Sequence, residues 1–214
     1  MKEIIAIVTV CLAAYANSLD NGFHYDDEHS IQRNIHIRDL GNIPLFFKDP
    51  STFSVDHDKG MFRPLLLVTY ALNYAWGGYE VFGYHLVNLA LHAATACLVM
   101  WLARLFDGGG GWALGAGLLF AVHPVCSEPV NYISSRSESL AGLCYLAGLA
   151  LFIRATRQGG GLWLYGSWGV LVAGLLSKAT VITLPAVVLL WDFLHGGRRS
   201  VVGLRTRFVR WHLV

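Results

Sequence analysis

The chain has 214 residues, 55% of them apolar and only 14% charged, with a mean hydropathy of +0.48. A soluble domain carries about 25% charged residues, so this composition excludes an ordinary soluble globule and points to an integral membrane protein. Sixteen Lys and Arg nearly cancel fourteen Asp and Glu, which excludes a nucleic-acid-binding or disordered chain, and four cysteines without a CxxC exclude a zinc ribbon or disulfide scaffold.

A spanning helix needs about 20 mainly apolar residues. The apolar runs predict about six spans, at Ile4–Leu19, Tyr84–Ala103, Trp112–Val122, Leu140–Ile153, Leu162–Leu176 and Thr180–Leu194. The first could pass for a signal peptide, but it lacks a small-x-small cleavage site and further spans follow, so it reads as an uncleaved helix. Cys11, Cys97 and Cys144 lie inside apolar runs, where buried thiols are ordinary. The expected fold is therefore an all-α polytopic membrane bundle, a single membrane domain over 1–214.

Two segments qualify this plan. Residues 20–83 form a long outer loop, in which Leu40–Lys48 reads as a short interfacial helix and Arg63–Trp76 as a juxtamembrane or re-entrant helix. Residues 195–214 form a basic tail, read as a stop-transfer flank or as a segment lying along the anionic leaflet. With six spans, nine cations (Lys2, Arg104, Arg154, Arg157, Arg198, Arg199, Arg205, Arg207, Arg210) fall on the side of the termini and two (Arg136, Lys178) in the opposite short loops. That bias predicts cytoplasmic termini and an extracytoplasmic or lumenal 20–63 loop.

Eight of the fourteen acids lie within 20–63. The sharpest feature is Tyr25-Asp26-Asp27-Glu28-His29, where adjacent carboxylates repel and raise at least one pKa. Such a cluster suits a general base or an oxygen-ligated divalent cation at Asp26 and Asp27, and a solvated turn is the plain alternative. A second cluster follows the third span: His123, Pro124, Glu128, Asn131, Tyr132, Ser134, Ser135, Arg136 and Glu138. Prolines on either side of Cys126-Ser127-Glu128 break the helix, so this backbone must line protein or water. Arg63, Arg136 and Lys178 are the cations available to meet a lipid phosphate. Three residues of the second span, His85, Asn88 and His92, share one helical face and read as helix-to-helix hydrogen-bonding groups. There is no HExxH, no Walker loop and no nucleotide fingerprint.

The blocks FHYDDEHSIQRNIHI, FRPLLLVTYALNYAWGG, GYHLVNLALH, HPVCSEPVNYISSRSESL and LLSKATVITLPAVVLLWDF occur in this order from about Gly22 to Phe193. Together they resemble the membrane portion of the transmembrane and tetratricopeptide-repeat O-mannosyltransferase family, within the GT-C glycosyltransferase superfamily. The resemblance implies a GT-C-like bundle that moves mannose from a polyprenyl-phosphate donor to Ser or Thr hydroxyls of an exported protein. The family's acidic loop motif falls on Asp26-Asp27. Members usually carry an acid after the Ser-Lys turn, whereas here Ala179 follows Lys178. They are also longer, with further spans and a repeat array, so a fragment, a minimal homologue or a subunit needing a partner is expected.

Residues and resemblance converge on one expected mechanism. Asp27, backed by Asp26, takes the acceptor proton, while Arg136, Lys178 and Arg63 hold the phosphate that gains charge. Glu28, Glu128 and His123 support them. A divalent metal at Asp26 and Asp27 is the optional cofactor. A non-catalytic scaffold of the same fold, or a small transporter, is the alternative. The transporter fits less well because the ionisable groups cluster at one surface rather than at the midplane.

Overall fold

The computed structural model describes residues 1–107, 111–158 and 161–195, and these are helical without strands. The basic tail expected over 196–214 lies outside the described residues. Helices α1 (Lys2–Tyr15), α4 (Val81–Asp107) and α7 (Arg136–Gln158) are the core of the three segments long and apolar enough to cross a membrane. A fourth crossing is formed if the bent pair α5 (Trp112–Ala121) and Pro124–Asn131, which contains α6 (Ser127–Asn131), counts as one span. The last two expected spans appear as shorter apolar helices, α8 (Gly161–Leu175) and the segment Ala179–His195 that ends in α9 (Leu184–His195). The chain is thus an all-α membrane protein, and among the described residues three or four helices have full spanning character, against about six expected.

Local chemistry sets the boundaries. The helix α3 (Pro64–Gly77) starts with proline at its first position, where no amide hydrogen is needed. It stops at Gly78, which takes φ 59°, a region glycine enters without a Cβ clash, and donates its N–H to Tyr74 O at 2.7 Å. Its fourteen residues are too few to span alone. Between α5 and α6 the chain bends by 48° at His123-Pro124, because proline cannot donate to the helix ladder.

Packing falls into three regions. The first loop is folded rather than idle: Ile31, Ile37, Phe46 and Phe53 are buried with Leu66, Leu67 and Tyr70 of α3. The short helix expected over Leu40–Lys48 is α2 (Ile43–Phe46), after a tight turn over Leu40–Asn42. Asn34 stitches the loop together, donating to the carbonyls of Thr52 and Phe53 and accepting from His36 N–H. A second cluster joins α1, α4 and α5, where Gly117 lets α5 approach α4 so closely that a Cβ would sit 3.1 Å from Ala96 O. A third joins α7 to α8 and α9.

The polar face expected on α4 does bond across helices. His92 Nε2 meets Ala121 O at 3.0 Å, His85 Nε2 meets Asn21 O at 3.0 Å, and Asn88 donates to Tyr132 O at 3.2 Å. These contacts satisfy carbonyls released where α5 stops and where the first loop leaves α1.

Candidate functional site

A cavity of about 270 Å³ opens between the first loop, the start of α3, the α6–α7 corner and the turn after α8. Its wall carries three acids (Asp26, Glu128, Glu138) and three cations (Lys59, Arg63, Lys178), interleaved with the hydroxyls of Ser134, Ser135, Ser137 and Tyr132. The apolar side is Phe53, Met61, Leu66 and Tyr70. Four segments distant in sequence therefore supply one site.

The loop is held to the corner by Asp27. This side chain is fully buried, and its Oδ1 accepts from Ser134 N–H at 2.8 Å and from the Ser134 hydroxyl. Its Oδ2 accepts from His24 N–H at 2.9 Å. Burial pushes the Asp27 pKa up, and the Ser134 and His24 hydrogen bonds pull it partly back. The preceding Tyr25 sits at φ 46°, a left-handed geometry unusual for a residue with a side chain. Asp26 N–H then donates to Tyr132 OH at 2.9 Å, and Ser30 Oγ donates to Asp26 O at 2.6 Å. The effect is to turn the two neighbouring carboxylates apart. Asp26, with a side chain 60% exposed, faces the cavity, and Asp27 faces the protein.

That arrangement changes the expected assignment of roles. Asp27, expected as the reacting carboxylate, lies behind the wall with both oxygens engaged, and Asp26 is the member of the pair on the cavity surface. Arg136, expected first among the phosphate-binding cations, is fully buried. Its Nε donates to Asn88 Oδ1 at 2.7 Å, its Nη1 to Asn73 Oδ1 at 2.7 Å and Thr69 Oγ1 at 3.1 Å, and its Nη2 to Tyr84 O at 2.9 Å. The guanidinium also lies 4.9 Å from the Tyr70 ring centroid. With its hydrogen-bonding edges spent on α3 and α4, Arg136 is a tie between helices and does not reach the cavity. Glu28 points away and faces Arg33 at 3.6 Å. His123 also lies outside the wall, where its Nδ1 accepts from Val125 N–H at 3.2 Å and caps the turn after the break.

Arg63, Lys178 and Glu128 do come together on the wall. Arg63 donates to Ser137 Oγ at 3.1 Å, Lys178 pairs with Glu138, and Ser135 donates to Glu128 at 3.3 Å. Burial holds both Arg63 and Lys178 below their ordinary pKa ranges, and the Arg63 charge lowers Lys178 further. Lys178 is already paired with Glu138, whereas Arg63 makes no ion pair among the described residues and keeps its charge open to an anion. Lys59 and Ser137 were not singled out from sequence. The only hint was that Lys59 closes the acidic run Asp56–Asp58, and it lies 3.9 Å from Asp56 and 4.0 Å from Asp26.

The divalent cation considered for Asp26 and Asp27 does not suit this donor set. The two carboxylates diverge, the Asp27 oxygens already accept three hydrogen bonds, and among the described residues no group of three or more His, Cys, Asp and Glu is spaced to hold a metal.

The chain is similar to protein O-mannosyl-transferase Tmtc2 of Drosophila melanogaster, with 35% identity over 94% of this chain and 22% of the relative. It is also similar to protein O-mannosyl-transferase TMTC2 of Homo sapiens, at 34% identity over 85% of this chain and 23% of the relative. Protein O-mannosyl-transferase Tmtc1 of Drosophila melanogaster matches at 37% identity over 79% of this chain and 20% of the relative. The chain spans about a fifth of the length of these relatives. No family model and no solved structure matches it.

Proposed function

The chain belongs to the transmembrane and tetratricopeptide-repeat O-mannosyltransferase family, and from this premise we propose that it forms the donor-side membrane portion of a glycosyltransferase. In this reading mannose moves from a polyprenyl-phosphate donor to a Ser or Thr hydroxyl of an exported protein. The observation that carries the reading is the cavity in which the Asp26 carboxylate shares a wall with Arg63 and Lys178. A carboxylate to take a proton and cations to oppose the charge on the departing group are what transfer from a lipid phosphate requires.

The acceptor oxygen bonds to the anomeric carbon while its proton passes to Asp26. The bond from that carbon to the phosphate oxygen breaks, and its electron pair leaves with the lipid phosphate. One negative charge is thereby moved from Asp26 to the departing phosphate, where Arg63 and Lys178 oppose it. Fixed charges aimed at the place where charge develops lower the barrier most, because they need no reorganisation during the step. Asp27 and Arg136 act indirectly: the first secures the loop to the α6–α7 corner, and the second secures that corner to α3 and α4. Lys59 closes the cavity from the loop side.

If all six apolar segments cross, the cation bias of the sequence favours cytoplasmic termini and a cavity on the extracytoplasmic or lumenal side. Since the relatives are four to five times longer, further spans and an acceptor-binding region are expected from elsewhere in a longer protein or from a partner subunit.

The test is incubation of the protein in lipid with labelled polyprenyl-phosphate mannose and a mixed Ser/Thr peptide pool. Label on peptide that disappears in Asp26→Asn supports the reading. Donor binding without transfer by wild type points to the scaffold alternative, and neither binding nor transfer overturns both.

A further inference from the structure

His29 is 5% exposed, yet it reaches the cavity wall directly behind Asp26. Its Nε2 lies 3.2 Å from Asp26 Oδ1, and its Nδ1 lies 2.9 Å from Ser54 Oγ. Ser54, also 5% exposed, accepts the Asp56 N–H at 2.9 Å. These contacts form a chain whose proton directions follow from the inventory of donors and acceptors. An ionised carboxylate can only accept, so the shared proton with Asp26 must sit on His29 Nε2. In a neutral imidazole Nδ1 is then an acceptor, so the Ser54 hydroxyl must donate to it. The Ser54 oxygen keeps a lone pair for the Asp56 amide. Every member of the chain is satisfied in one arrangement.

The second observation concerns Asp26 itself. Among the described residues, the contacts of its carboxylate fall on Oδ1: His29 Nε2 at 3.2 Å and Lys59 Nζ at 4.0 Å. Oδ2 has no hydrogen-bond or ion-pair partner among them. A half-exposed carboxylate without such an anchor would rotate and present either oxygen. Here one oxygen is tethered and the other is left without a partner, on a side chain that lines the cavity.

We propose that His29 is the positioning residue of Asp26, held in its Nε2–H tautomer by Ser54, so that Asp26 Oδ2 is presented to the acceptor hydroxyl. This rests on the role given to Asp26 above. The His29 contact holds the base in a reactive orientation without taking the proton itself, and the proton of the acceptor ends on Asp26 Oδ2. Misplacement of a reacting group by about 1 Å can cost on the order of 10²-fold in rate, so the tether acts on turnover rather than on donor affinity.

Two measurements test it, on the full protein in nanodiscs. First, kcat and the donor KM are compared for wild type, Asp26→Asn, His29→Leu and His29→Gln. The Gln amide can still donate to Oδ1, whereas Leu cannot. The expected result is a fall in kcat of roughly ten- to a hundredfold for His29→Leu, an unchanged donor KM, and substantial recovery in His29→Gln. Full activity in His29→Leu alongside an inactive Asp26→Asn overturns the positioning role and leaves the reading of Asp26 intact. Full activity in Asp26→Asn overturns the role of Asp26, and the positioning role with it. Second, histidine-selective ¹⁵N spectra at neutral pH, with His29 assigned by its loss in His29→Gln, read the tautomer without reference to activity. The expected signal is the Nε2–H form in wild type and a mixture in Asp26→Ala and Ser54→Ala. An Nδ1–H form in wild type, or a tautomer indifferent to both variants, overturns the proposal even if His29→Leu fails to fold.

Discussion

Asp26 and Asp27 are adjacent in the chain, yet their carboxylates face opposite ways: Asp27 inward onto Ser134 and His24, and Asp26 outward onto the cavity and His29. The left-handed Tyr25 before them sets the divergence. Two identical groups thus receive different work from position alone. One is a buried brace with both oxygens hydrogen-bonded, and the other lies on the cavity wall.

Asp26→Asn keeps the shape of the side chain and removes its basicity. A positioned general base contributes about 10²–10⁴-fold, so mannose transfer should fall by that amount while the melting temperature stays within a degree or two of wild type. Transfer at the wild-type rate would remove Asp26 from the mechanism.

Asp27→Ala should act on stability first. It leaves the Ser134 amide, the Ser134 hydroxyl and the His24 amide without their acceptor. An orphaned buried donor costs about 1–3 kcal/mol, and entering water recovers part of that. A loss of roughly 2–4 kcal/mol in thermal or denaturant unfolding is expected.

The same residue gives the fold a pH dependence. The folded pKa of Asp27 is raised by burial, so its contribution to stability is full below the unfolded value near 3.9 and is lost as pH rises through the folded value. Asp27→Asn cannot titrate. Its stability relative to wild type should therefore improve from acid toward neutral pH, and a constant difference across that window in melting curves would contradict the assignment.

Arg63→Gln and Lys178→Gln should weaken donor binding. A hydrogen bond to a charged group is worth about 1.5–3 kcal/mol, or about ten- to a hundredfold in affinity. Titration with polyprenyl-phosphate mannose should show this in both variants, with the fold intact. Unchanged affinity in both would mean that the phosphate sits elsewhere.

Arg136→Lys should fail where a surface exchange would pass. Lysine cannot supply the planar fork that meets Asn88, Asn73, Thr69 and the Tyr84 carbonyl together. A destabilisation of at least about 2 kcal/mol is expected from acceptors left unmet, with donor affinity in the surviving folded fraction close to wild type. Selective loss of donor affinity without loss of stability would return Arg136 to the cavity.

The sequence carried the membrane class, the positions of the apolar helices and the two clusters that meet at the site. It carried them because hydropathy and proline breaks are local signals. It did not carry the direction in which a side chain points. Asp26 and Asp27 are indistinguishable by composition, and only the backbone at Tyr25 and the donors on Ser134 separate them. Arg136 looked like the first anion anchor because it sits within the proline-broken cluster after the third apolar run. Its partners Asn73, Asn88 and Thr69 lie 63, 48 and 67 residues away, so its employment inside the bundle left no nearby trace. Lys59 was missed for a similar reason, since a lone lysine in an acidic loop looks solvated until the loop folds back onto the cavity. Span number was the other difference: the run Trp112–Val122 already marked α5 as short, but a count of runs does not separate a short apolar helix from one that crosses the membrane by itself.

That early end to α5 has a consequence for the surrounding lipid. A helix rises about 1.5 Å per residue, so the 27 residues of α4 reach about 40 Å and the ten of α5 about 15 Å. The hydrocarbon layer is about 30 Å thick. A bilayer matched to the α4 side is too thick for α5 alone, so either Pro124–Asn131 completes that crossing or the membrane thins at the short flank. Headgroups drawn down beside the bend at Pro124 would carry their phosphates toward the depth of the α6–α7 corner. Thinning there would shorten the path of a lipid headgroup to that corner, before any side chain had touched it.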